Sequence, residues 1–382
     1  MKLLFDATGM ALSGYHKGGA YIYGLELLLN LQQINRELDI ELFFNFTRSK
    51  HKPKMMDTCR AASIDKYSLS QIPPQILRGL RIPTEWVSSK HDVMHGPFDL
   101  MAHTKNSARV LTIHDLAFIR APQGLPAKWI ADRHKLVPPS AHRAHRIITV
   151  SEFSKSDIVE HFQVDPDLVQ AIYHGISPGL EPPKNIDADR ERLKERYSID
   201  QPFVLYLGTL QPNKNIEGLC AAFQLLKKEG YPGKLVLAGA KGWLFDEMWQ
   251  RICDRNHDQD VLLTGFVDSE DIPRLYGACD VFALVSFLEG FGIPVIEAMA
   301  CGAPVVAAHA CSLIEVTSNA GLLVDPHDER DIADALLTMI DNAEFREEMI
   351  SRGLAHAATF TWRRTAEQHF AAYEQAIVQQ QS

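Results

Sequence analysis

Along this chain, short apolar runs alternate with longer amphipathic stretches, and the whole rhythm occurs twice. Runs that are apolar throughout read as strands buried on both faces, and the stretches between them read as helices. Residues 2–7, Lys-Leu-Leu-Phe-Asp-Ala, are the first such strand. A turn, Gly14-Tyr-His-Lys-Gly18-Gly19, then leads into an apolar helix over about residues 20–31. Further strands are predicted at 40–46, 93–97, 108–116 and 143–151, the last followed by Ser151 as the cap of a helix. The segment 171–176 closes the first series, and Ser177-Pro-Gly-Leu-Glu-Pro-Pro183 reads as a linker. The second series has strands at 203–208, 234–240, 261–267, 280–286, 303–308 and 321–326. Residues 328–342 and 343–356 read as helices, and residues 362 to about 378 as an amphipathic one. Strands alternating with helices twice over predict an α/β chain of two doubly wound, Rossmann-like domains facing a ligand cleft. The boundaries are 1–176, a linker over 177–200, 201–360, and a terminal helix over 361–382.

Composition is that of an ordinary globular protein of 382 residues. The six cysteines are scattered without paired spacing, several of them in apolar runs, which predicts buried thiols in a reducing compartment. The opening residues lack a secretory pattern, and no apolar run is long enough to span a bilayer. A cytoplasmic location is expected. The net charge of −9 is uneven: about +4 over residues 1–175 and about −13 beyond them. A basic first half predicts an anionic partner, such as a membrane surface or a phosphate-bearing acceptor. Nucleic acid is not expected, because no basic stripe carries interleaved aromatics. Arg48-Ser-Lys-His-Lys-Pro-Lys54 reads as a solvated loop, or, if functional, as membrane contact.

The chemistry concentrates in Glu289-Gly-Phe-Gly-Ile-Pro-Val-Ile-Glu297, continuing Ala-Met-Ala-Cys-Gly302. Gly290 and Gly292 allow close backbone approach to a ligand, and Pro294 suits the first turn of a helix. That helix start would offer N–H groups to an anion. Glu289 before the helix and Glu297 in its first turn could accept hydrogen bonds from ligand hydroxyls. The spacing is also satisfied by two solvated glutamates around an ordinary connection. His114 ends a strand, where α/β sheets bind ligands, although a strand-end histidine is often structural. His142 and His145 have metal-like spacing without acidic or cysteine partners and read as helix surface. Asp187-Ala-Asp189 reads as a helix cap rather than a metal site.

Several segments in order resemble the retaining glycosyltransferases of family 4, which have the GT-B architecture. Gly18-Gly19 resembles that family's glycine-rich acceptor loop. Thr112-Ile-His114-Asp115-Leu116 resembles its T-[IV]-H-D-L. Ile148-Thr-Val-Ser151-Glu-Phe-Ser154-Lys resembles its T-V-S-E-x-S-K. Gly208-Thr-Leu-Gln-Pro-Asn-Lys214-Asn215 resembles G-T-L-x-P-R-K-N, and Glu289 to Glu297 resembles its E-x7-E. The family's diphosphate is usually held by an Arg and a Lys. Here Thr209 and Asn213 stand where Arg is common, leaving Lys214.

The resemblance implies transfer of a hexose from a nucleoside-diphosphate sugar with retention, GDP-mannose or GDP-rhamnose being favoured over a UDP-sugar. The acceptor would be an oligosaccharide or polyprenyl-diphosphate-linked glycan, as in bacterial O-antigen or capsule synthesis, with peripheral contact at the inner membrane face. No metal and no cofactor beyond the co-substrate are implied. Lys214, the Gly18 and Gly19 amides and the helix start after Gly292 would hold the diphosphate. Glu297 would take the ribose, and Glu289 with Gly290, Phe291, Gly292 and Ile293 the sugar. Gly208, Thr209 and Asn213 would complete the donor site. His114, Glu289 and Lys214 would be the catalytic residues, and the last helix would cross back onto the first domain. The alternatives are a non-catalytic partner subunit and a GT-B phosphorylase or epimerase.

Overall fold

The computed structural model describes residues 1–12 and 19–381. They form two compact units, one made of Met1–Leu116, Lys128–Gly175 and Thr361–Ser382, the other of Ala117–Ala127 and Ile176–Phe360. Residues 117–127, assigned by chain order to the first domain, thus group with the second unit. The first unit contains a parallel sheet of β1 (Lys2–Asp6), β2 (Asp39–Asn45), β3 (Tyr67–Ser70), β4 (Val93–Gly96), β5 (Ala108–Thr112), β6 (Arg146–Thr149) and β7 (Val169–Ala171). Their order across the sheet is β3-β2-β1-β4-β5-β6-β7. The second unit contains β8 (Phe203–Leu207), β9 (Lys234–Ala238), β10 (Val261–Gly265), β11 (Val281–Leu284), β12 (Val305–Ala308) and β13 (Leu322–Val324). Their order is β10-β9-β8-β11-β12-β13, again all parallel.

The two sheets wind alike. Each runs outward for three strands, then returns past its first strand and runs the other way. The reversal opens a crevice at the carboxyl ends of β1 and β4, and another at those of β8 and β11, where such sheets bind ligands. Central strands have no solvent face: Leu3, Leu4 and Phe5 of β1 and Val204, Leu205 and Tyr206 of β8 are all fully buried. All six cysteines are unpaired.

The stretch expected to be a linker contains the helix Ile186–Tyr197. Asn185 caps it by accepting from Ala188 N, while Asp187 and Asp189, expected as the cap, lie in its first turn. Its basic residues have a definite use. Arg192 Nε and Arg196 Nη1 donate to the buried carboxylate of Asp271 at 2.5 and 2.6 Å, and Tyr197 Oη does so at 2.9 Å.

The helix Trp362–Gln381 completes the core of the first unit. Trp362, Ala366, Ala372, Tyr373 and Ala376 pack in one cluster with Leu3, Phe5, Tyr23 and Val110. Its entry needs a glycine at 175, because a Cβ there would stand 2.1 Å from Trp362 N.

A buried hydrogen-bond chain ties this helix to the sheet, and its direction can be deduced. His369 Nδ1 lies 2.8 Å from the Thr365 carbonyl, which only accepts, so Nδ1 is the donor. His369 Nε2 therefore accepts from Tyr23 Oη at 2.9 Å. Tyr23 Oη in turn accepts from Thr112 Oγ1 at 2.8 Å. Thr112 Oγ1 accepts from His95 Nε2 at 2.8 Å, and His95 Nδ1 accepts from Tyr373 Oη at 2.9 Å. Every member is satisfied only if both imidazoles are neutral. Burial enforces that state: it holds His95 well below the ordinary histidine range and His369 down at about 4.

Two outcomes are expected. Tyr373→Phe keeps the ring but leaves His95 Nδ1 without its donor, and should cost about 1–3 kcal/mol in urea unfolding. The neutral histidines also set a pH dependence. Below about 6.5 the unfolded chain takes up protons that the folded one refuses. Stability of the first unit should therefore fall as pH drops from about 6.5 toward 4, by up to about 1.4 kcal/mol per pH unit for each histidine. Above that window it should be flat in this respect. Hydrogen exchange of first-unit amides across the pH range reads it directly.

Candidate active site

The β8–β11 crevice collects most of the residues singled out from the sequence. After β8 the backbone turns through Gly208 and Thr209 to a single 3-10 turn, Pro212–Lys214. Tyr206, fully buried, donates from Oη to the Thr209 carbonyl at 3.0 Å and fixes that turn from beneath. Gly239, at the end of β9, has φ +142°, and a Cβ there would stand 1.9 Å from the Gly208 carbonyl oxygen, so two strand ends meet where only glycine fits. Asn215 follows in the left-handed region at φ 56°. Its buried side chain caps the helix Ile216–Lys228 by accepting from Gly218 N, and donates to the Val285 and Pro326 carbonyls at 3.1 and 2.7 Å. One amide thus holds together the ends of β8, β11 and β13. The Phe287 N–H adds a backbone tie to the Asn213 carbonyl at 3.0 Å.

These ties bring Lys214 to Glu289. Lys214 Nζ lies 2.8 Å from both carboxylate oxygens, and Ser286 Oγ donates to Oε1 at 2.8 Å. The lysine side chain is 19% exposed and the glutamate 13%, so the pair is largely shielded but reachable. An ammonium has three donors. Two contacts go to Glu289, which accounts for two of the three.

Gly292, at φ +97°, is the cap of the helix Ile293–Ala300. A Cβ on it would stand 2.6 Å from Leu313 Cδ2. Helix geometry leaves the Ile293 N–H without an intrahelical acceptor, and Pro294 has no N–H. Ser312 Oγ lies 2.8 Å from the Glu289 carbonyl and 3.1 Å from that of Phe291, and so fixes the Gly290–Gly292 turn.

Glu297 lies in the second turn of this helix, not the first as the spacing implied. Its Oε2 accepts from Tyr276 Oη at 3.1 Å. Desolvation lifts its carboxyl to about 7 despite that bond. A buried carboxyl so perturbed marks a candidate functional group.

His114 belongs to the first unit. Its ring stacks between Phe98 and His174, with centroids 6.3 and 6.1 Å away, and meets the edge of Tyr23 at 4.8 Å. Its Nε2 lies 3.0 Å from the Pro97 carbonyl, which makes Nε2–H the donor. Its backbone N–H donates to Asp99 Oδ1 at 3.3 Å, and its carbonyl accepts from Ser154 Oγ at 3.2 Å. Ser151 caps the helix Glu152–Phe162, as expected, by accepting from Ser154 N at 3.0 Å.

Gly19 opens the helix Gly19–Ile34, while Gly18 lies outside the described residues. His145 is not helix surface: it lies beyond the helix Ala127–Ala141 and packs on Arg109, and burial with that guanidinium pushes it down to about 4. The sequence reading missed Tyr276, Ser286 and Ser312, which orient the glutamates, and Tyr23 and His174, which pack on His114. None sits in a segment with a recognisable pattern of its own, apart from His174, whose Gly175 neighbour marks a tight approach.

Comparison with known proteins fits this geometry. Residues 188–356 match the family model for glycosyl transferases group 1, and residues 18–180 match that for glycosyltransferase family 4. The chain is 36% identical over 289 residues to O-antigen chain mannosyltransferase B of Escherichia coli, covering 75% of this chain and 74% of that protein. It is 31% identical over 235 residues to the serotype-specific mannosyltransferase WbdA of Escherichia coli, 59% of this chain but only 28% of that longer protein. The solved structure of Anabaena HepE in complex with UDP and glucose is similar in fold, with a TM-score of 0.73 over 97% of this chain and 98% of that one, at 21% identity.

Proposed function

This chain belongs to glycosyltransferase family 4, and from that premise we propose that it transfers a hexose, mannose first among the candidates, from a nucleoside-diphosphate sugar to a glycan acceptor. The observation that carries the reading is Glu289, held by Lys214 and Ser286 at the switch point of the second sheet. Three donor contacts fix the carboxylate and leave lone pairs for sugar hydroxyls. A carboxylate so engaged is a positioning group, not a free nucleophile. The reaction is front-faced: the anomeric carbon–phosphate oxygen bond breaks, the acceptor hydroxyl adds on the same face, and its proton passes to the departing phosphate. Configuration is retained.

The third Lys214 donor and the Ile293 N–H stabilise the leaving diphosphate as its charge develops. They take the place of a metal ion, so none is required. Glu297 accepts from the ribose hydroxyls, Thr209 and Asn213 flank the diphosphate, and His114 serves the donor sugar. The mannosyltransferase relatives favour a GDP-sugar and an O-antigen or related lipid-linked glycan. Among the described residues no helix is long and apolar enough to cross a membrane. The enzyme works at the cytoplasmic side, in peripheral contact with the inner membrane face.

Two measurements test this. Thermal unfolding with GDP, UDP, ADP and dTDP should show one nucleotide stabilising the protein by about 2.7 kcal/mol at a hundredfold its Kd. Because an ionised Glu297 is the stronger acceptor for ribose hydroxyls, that affinity should rise as pH passes upward through about 7. Glu297→Gln should bind weakly and without this pH dependence. No shift from any nucleotide would return the chain to a non-catalytic partner role. In excess EDTA, wild type should turn over GDP-mannose with a lipid-linked glycan, while Glu289→Ala and His114→Ala should each lose about a hundredfold or more. Near-normal rates in both variants would refute the assignment.

A further inference from the structure

The Pro74–Lys90 segment of the first unit carries an unusual surface. Leu80 is 73% exposed, Trp86 76% and Ile76 47%, while Leu77 between them is buried and anchors the segment. The display is built, not loose. Ile82 N donates to the Leu77 carbonyl at 3.0 Å, and Thr84 N to the His103 carbonyl at 2.8 Å. Glu85, next to Trp86, accepts from Lys105 N at 3.0 Å and Asn106 N at 2.9 Å, and from Thr104 Oγ1 at 2.5 Å. An indole is therefore held outward on a turn fixed by its neighbours.

The same segment concentrates positive charge. Arg78 and Arg81 are exposed, and Arg81 sits in the left-handed region at φ 47°. Arg143 lies close enough to Arg81 to feel its charge, and His103 feels both. Among the described residues, none of these three arginines has a carboxylate partner within ion-pair distance. Exposed Trp and Leu beside unpaired arginines match the two layers of a bilayer interface, where aromatic rings enter the headgroup level and cations meet anionic lipid.

We propose that the Pro74–Lys90 surface docks this enzyme on an anionic phospholipid bilayer through Leu80, Trp86, Arg78 and Arg81. This deepens the peripheral contact proposed above and relocates it from the more basic Arg48–Lys54 run, whose own helix, Lys52–Ala62, exposes among its large hydrophobic residues Met56, at 36%, well below Leu80 and Trp86. The occupant is lipid rather than an acidic protein because the exposed apolar residues are spread among the exposed arginines instead of forming a patch apart from them.

The test is co-sedimentation of the full chain with phosphatidylglycerol-containing vesicles and with pure phosphatidylcholine vesicles. Wild type should pellet with the former and far less with the latter, and salt should weaken it. Arg78→Glu with Arg81→Glu should lower the affinity by at least about 25-fold, about fivefold per arginine. Leu80→Ser with Trp86→Ser should release the protein at low salt too. Both variants should keep the wild-type nucleotide thermal shift, which shows them folded and tests the donor site separately. Equal pelleting of wild type and both variants, or no preference for the anionic vesicles, would overturn the proposal. So would loss of self-association, instead of vesicle binding, in the Leu80→Ser, Trp86→Ser variant.

Discussion

The Lys214–Glu289 contact is the constraint around which the second unit is arranged. Two opposite charges mostly out of water are worth holding only if the geometry is good and the remaining valences are met. Here they are met by Ser286 on one side and by open donor and acceptor capacity on the other. Bringing the pair together requires the ends of β8 and β11 to be held side by side. Asn215 does that with one buried amide, and Gly239 and Gly292 remove the side chains that would stand in the way. The pair is held in place by the protein's own contacts, the pre-organisation on which the proposed stabilisation of a leaving group would depend.

On the proposed reading, a single cation would do what an arginine and a lysine commonly share. An ammonium suits that role because it is a compact point charge with three donors and can face a carboxylate and a phosphate at once. Glu289 keeps it aimed. Further help would come from backbone, from one N–H at a helix start whose first turn is otherwise narrowed by Pro294.

Much of this was legible in the sequence, for a definite reason. Strands buried on both faces leave unbroken apolar runs, so Phe203-Val-Leu-Tyr-Leu and Val281-Phe-Ala-Leu mark themselves. Turns that need left-handed backbone or close approach leave glycines, so the Glu289 loop does too. The placement of Glu297 one turn further along, and the use of Asn185 rather than Asp187 as a cap, turn on where a helix begins, which a residue or two decides. The contacts that orient the site were not legible. Tyr276 reaches Glu297, Ser312 reaches the Glu289 carbonyl, and Tyr23 reaches His369, all across separations that only the folded topology closes. Nothing local in Tyr23 distinguishes it from an ordinary core tyrosine. What sets it apart is a partner almost the length of the chain away.

That distance affects how the protein is made. Domains generally fold in the order in which they are synthesised. The first unit cannot do so, because Trp362, Ala366, Tyr373 and the acceptor at His369 belong to its core and are translated after the whole of the second unit. Until this helix leaves the ribosome, Leu3, Phe5 and Tyr23 lack part of their cover, and Tyr23 and His95 each lack one of their two hydrogen-bond partners. The half of the enzyme that is born first is therefore the half that matures last. A ribosome that stalls before residue 362 releases a chain whose second unit has all of its own sequence and whose first unit has an open core.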